Sequence, residues 1–157
     1  MTDAELTSTF DEYRAGLKAE AALLHQLQAI AERQHEGTAR RDFEQLAIES
    51  DARERLMRTL VNVEQELRVI RDSLMTGRAD VIQHARYQEI LDLRREAADL
   101  IAAILATDRD SMKALADAEL ARRAAVASLE RGETTLAAYR KVIAPPVSSA
   151  TLLNRRG

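Results

Sequence analysis

Between Val81 and Ile143 the chain carries a single glycine, Gly132, and no proline. No other stretch limits the fold so strongly. Helical throughout at about 1.5 Å per residue, it would be roughly 90 Å long, about three times the diameter of a small domain. No earlier segment is long enough to cover it. Its far half needs shelter from another copy, another protein, or a bend that folds it back.

The preceding chain supplies two more helical patterns. Leu6, Phe10, Tyr13, Leu17, Leu24, Leu27 and Ala31 follow alternating four- and three-residue steps, broken only by Glu20. That heptad seam predicts an amphipathic helix over 3–36, with Gly16 tolerated inside it. Gly37 is expected to stop this helix and Thr38 to cap the next, over 38–74. There Leu56, Leu60, Val63, Leu67, Ile70 and Leu74 repeat the spacing and Leu46 is in phase, while Glu49 and Arg53 interrupt. Two long seams joined by a short glycine-containing turn predict an antiparallel helical hairpin. A second short turn at Thr76-Gly77-Arg78, with Asp80 as cap, opens a third helix over 81–143.

Composition agrees with helix over sheet. Aromatics are 3% of residues and tryptophan is absent, so the apolar content is mostly Ala and Leu. A formal net charge of -3, with both signs interleaved, argues against a nucleic-acid partner. The chain has no cysteine, which excludes a disulfide framework, a thiolate zinc site and a cysteine nucleophile. The N-terminus is acidic and does not read as a signal peptide. The longest apolar run, Leu100 to Ala106, is too short to span a bilayer, so no membrane insertion and a cytoplasmic location are expected.

The third helix has two qualities of seam. Ile90, Leu93, Ala97, Leu100, Ile101, Ile104, Met112 and Leu115 form a rich half that can pack on the hairpin. Past Leu115 the stripe thins to Ala118, Ala125, Val126, Leu129, Leu136 and Ile143, with Arg122, Glu133 and Arg140 intruding. Small side chains bury little area at about 25 cal/mol per Å², so this half makes a poor core by itself. Thr107-Asp108-Arg109-Asp110 could cap a new helix, but without glycine or proline there continuity is expected. Pro145-Pro146 ends the helix, and 145–157 reads as a disordered basic tail. The fold class expected is all-α: a hairpin plus a long third helix, a three-helix, coiled-coil-like bundle over 1–144.

Catalytic signals are few. Glu32 and His35 have the one-turn spacing of di-iron bundle ligands, but no second pair matches them, and a solvated helix terminus explains them better. Gly-rich phosphate loops, HExxH, Gly-x-Ser-x-Gly and EF-hand loops are missing. The basic doublets Arg40-Arg41 and Arg122-Arg123 are diluted by nearby acids. The expectation is no enzyme, no cofactor and no metal. The thin stripe has two readings: a self-associating coiled-coil end, or a surface awaiting a partner's amphipathic helix.

The segment Leu46-Ala47-Ile48-Glu49-Ser50-Asp51-Ala52-Arg53-Glu54-Arg55-Leu56 resembles the leucine- and acid-rich second helix of the flagellar export chaperone family called FlgN. Ile104-Leu105-Ala106-Thr107-Asp108-Arg109-Asp110-Ser111-Met112 is similar to a polar interruption in that family's last helix, and Thr135-Leu136-Ala137-Ala138-Tyr139 supplies its late tyrosine. The resemblance implies a cytoplasmic chaperone that holds hook-associated proteins unpolymerised before type III export. It implies a cargo clasp at Leu115, Ala118, Val126, Leu129 and Leu136, with Tyr139 docking at the export apparatus. The glycine that commonly follows this tyrosine in the family is absent before Gly157. The alternative expectation is a homo-oligomeric coiled-coil scaffold, a homodimer in its simplest form.

Overall fold

The computed structural model describes residues 1–143, with side-chain surroundings for all of these but Arg78, 134–136 and 139–143. The elements are α1 (Asp3–Arg40), α2 (Phe43–Thr76), α3 (Arg78–Gln83) and α4 (Tyr87–Ile143). The protein is all-α. It divides into two compact units, Met1–Ala114 and Leu115–Gly157.

In the first unit α1 starts with a reciprocal cap. Glu5 N–H donates to Thr2 Oγ1 at 3.2 Å, and Thr2 N–H donates to Glu5 Oε2 at 2.7 Å. These bonds satisfy donors that a helix start would otherwise leave open. The expected stop at Gly37 is wrong: α1 runs on to Arg40, and Gly37 is buried inside it. The reason is packing, because a Cβ at Gly37 would lie 3.3 Å from Leu46 Cδ2. The left-handed residue is Arg41 instead, at φ 56. Arg41 N–H donates to Thr38 O and Asp42 N–H to Gly37 O, the paired bonds of a Schellman end. Asp42, rather than Thr38, caps α2 through Gln45 N–H at 3.0 Å.

The single third helix expected from Val81 is also corrected. Asp80 lies within the six-residue α3, and the chain turns at His84 before α4 begins. His84 is extended at φ -67, ψ 138. Its ring stacks on Phe10 at 4.2 Å, and its Nδ1 accepts from Arg86 N–H at 3.2 Å. Arg86 pairs with Asp11. The stacking on Phe10 and the pair with Asp11 hold this turn against α1, at a break where 84–86 has neither glycine nor proline. Beyond the turn α4 is unbroken through Thr107–Asp110.

Cross-helix contacts fix directions. Gln34 with Ser50 and Gly16 with Leu67 make α1 and α2 antiparallel. Arg14 with Glu89, His25 with Glu96 and His35 with Ser111 advance together, so α4 runs parallel to α1. Two apolar clusters form the core. One joins Phe10, Tyr13 and Leu17 of α1 to Leu67, Leu74 and Ile90; the other joins Leu24, Leu27 and Ala31 to Ala97, Leu100 and Ile104. Each fully buried large side chain contributes roughly 1.5–3 kcal/mol. On α1 the seam position between the two clusters is Glu20.

In the second unit no described side chain is buried: Leu120 and Leu129 are 63% and 70% exposed. The expected tail, 145–157, lies outside the described residues.

Candidate functional site: two apolar surfaces

The first surface is the stripe foreseen from the sequence. Leu115, Val126 and Leu129 are exposed and Ala118 is half-buried. Their steps of three, eight and three residues keep them on one helical face. Arg122 lies between them and is tied back to the helix: Arg122 Nε and Nη2 donate to the two oxygens of Glu119 at 2.9 Å each. Arg123 adds a third bond at 3.0 Å. These hydrogen bonds from Arg122 and Arg123 hold the Glu119 carboxyl down at about 2. The side chains of Leu136 and Tyr139 lie outside the described ones, so the apolar stripe is described only as far as Leu129.

The second surface belongs to the first unit and was missed. A trough of about 530 Å³ is floored by α1 and walled by α2 and α4. Three heptad stripes converge on it: Tyr13, Leu17, Glu20, Leu24 and Leu27; Met57, Leu60 and Glu64; and Ala98, Ile101 and Leu105. Ile101 and Leu105 are 44% and 55% exposed. The reading of 90–115 as a face packed on the hairpin is therefore corrected: Ile90, Ala97, Leu100 and Ile104 are buried, but Ile101, Met112 and Leu115 are exposed. A stripe too wide for one seam was the available signal, since Ile101 directly follows Leu100 and Leu105 follows Ile104.

The trough's polar groups are mostly paired. Arg53 and Asp108 close one end, with Arg53 Nη2 2.6 Å from Asp108 Oδ2. Arg71 donates to Glu64 Oε1 at 2.8 Å. Glu20 differs: it is 9% exposed, and no hydrogen bond or ion pair to it is found among the described residues. Burial, then the neighbouring Glu64 charge, pushes its carboxyl up, against a smaller opposing pull from Arg71. Burial also raises Tyr13.

Glu32 is exposed, and His35 meets Ser111 Oγ at 3.2 Å inside α1, not at a helix end. Among the described residues, no three acidic or histidine side chains stand close enough to hold a metal ion. Among them, too, no helix is long and apolar enough to cross a membrane. No family model, curated protein or solved structure matches this chain.

Proposed function

We propose that this chain is a FlgN-like export chaperone, cytoplasmic and without a catalytic step. It holds an amphipathic C-terminal helix of a flagellar hook-associated protein and prevents premature assembly. The observation that supports this reading is the exposure of Leu115, Val126 and Leu129 on one face of α4, where a solvated helix would carry polar residues. An incoming helix supplies the apolar area that the stripe lacks. The small side chains at Ala118 and Ala125 limit the area gained, which keeps dissociation fast enough for hand-over to the export apparatus. Leu136 and Tyr139 extend this clasp and its docking function in the same proposal.

Calorimetry of the full chain with C-terminal fragments of hook-associated proteins tests it. Leu129→Asp is expected to abolish binding and leave the helical circular dichroism of 1–110 intact; unchanged affinity would overturn the reading. The heptad spacing of the same stripe favours one alternative, a homodimeric coiled-coil scaffold. Light scattering at micromolar concentration separates them: a monomer supports the chaperone, a tight dimer the scaffold.

A further inference from the structure

The core of the first unit is split at an acid. Leu17 belongs to one apolar cluster, Leu24 to the other, and Glu20 stands between them facing the trough. The Glu20 side chain is largely covered, yet neither of its carboxylate oxygens is fully buried. The charge therefore opens into the trough, where an occupant would bury it, and a buried acid needs a partner. The neighbouring charges are already engaged. Arg71 is bonded to Glu64, and Arg53 to Asp108. Arg94 of α4 lines the trough too, and Arg71 exerts a weak pull on Glu20, but neither makes a hydrogen bond or ion pair to it.

We propose that this trough seats one amphipathic helix of a partner protein, with a lysine or arginine from the middle of its apolar face placed on Glu20. The kind of partner rests on the helix-binding reading above; the residues do not overlap with that clasp. Three observations support the occupant. The floor from Tyr13 to Leu27 is about 21 Å long, the length of roughly four helical turns. An engineered apolar cavity of about 150 Å³ accepts a benzene, so this volume holds about three groups of that size, an i, i+4, i+7 set. Glu20 lies halfway along the floor and is the acid in the lining that no arginine already holds. A basic side chain there completes a pair that the chain itself leaves open.

The test uses the full chain and stapled amphipathic helices of about 15 residues. They are identical except for Lys, Leu or Glu at the central apolar-face position, and binding is read by fluorescence anisotropy. The Lys helix is expected to bind about tenfold more tightly than the Glu helix. Glu20→Gln should erase that preference, and Glu20→Lys should reverse it. Ile101→Asp, on an exposed wall position, should abolish binding of all three. Equal affinities, or a preference that survives in Glu20→Gln, would overturn the proposal. So would a dimer of the chain that Ile101→Asp dissolves, because a second copy would then fill the trough. Failure here with cargo binding still sensitive to Leu129→Asp removes this site and leaves the functional reading standing; the converse pattern removes the distal clasp alone.

Discussion

Arg53 of α2 and Asp108 of α4 share two hydrogen bonds, Nη1 to Oδ1 at 2.8 Å and Nη2 to Oδ2 at 2.6 Å. Arg53 Nη1 also donates to Gln34 Oε1 of α1 at 2.8 Å, so one guanidinium ties three helices. Hydrogen bonding to Asp108 raises the already high pKa of Arg53 further. Both side chains are about a quarter exposed, which moderates the strength of the pair. Asp108→Ala should cost about 1 kcal/mol in urea unfolding, with a double-mutant cycle against Arg53→Ala returning most of that as coupling.

Gly16 should resist the usual helix rule. Alanine in a helix interior normally gains about 1 kcal/mol over glycine. Here a Cβ would stand 2.6 Å from Leu67 Cδ2, and Leu67 is 2% exposed with little room to move. Gly16→Ala should therefore destabilise by about 1–3 kcal/mol. Gly132 has nothing within 4 Å, so Gly132→Ala should raise helix stability. Thermal unfolding of the two variants should shift in opposite directions.

The fold was legible where heptads were clean. The seam from Leu6 to Ala31 and the seam from Leu56 to Leu74 place α1 and α2 as a hairpin, because apolar spacing fixes which face is buried. The breaks in those seams were illegible. Glu49 and Arg53 read as interruptions and Asp108 as part of a possible cap, yet Glu49 accepts from Arg33 Nε at 2.8 Å and the other two pair with each other. Spacing along one helix cannot reveal a partner on another. Gly37 misled for a related reason: close packing against Leu46 and a left-handed turn both favour glycine, and only tertiary structure says which applies. The distal stripe was visible as thinning of large side chains, whereas the trough depends on how far apart α2 and α4 stand.

Glu20 makes stability depend on pH. Its folded-state pKa lies above the ordinary 4.5, because burial disfavours the charged form. A raised carboxyl contributes stability below its unfolded pKa and loses it as pH rises through the folded value. Glu20→Gln should therefore be more stable than the parent by about 1 kcal/mol at neutral pH, with the gap closing below about pH 4. A constant gap across a urea series from acid to neutral pH would refute this origin.

Glu119 behaves in the opposite sense. Its carboxyl is held at about 2 by hydrogen bonds from Arg122 and Arg123. The contribution of this exposed cluster is present above the ordinary carboxylate value and disappears as pH falls toward 2. Side-chain NMR titration should find Glu119 well below other exposed glutamates. Replacing both arginines with glutamine should return it toward 4.5.

Hydrogen exchange of the full chain, with and without a saturating C-terminal helical fragment of a hook-associated protein, tests the central claim most directly. Amides of 115–133, where Leu115, Val126 and Leu129 are exposed, should exchange markedly more slowly with the fragment bound. Exchange across 115–133 that is the same with and without bound fragment would contradict the claim that this stripe is the guest's seat.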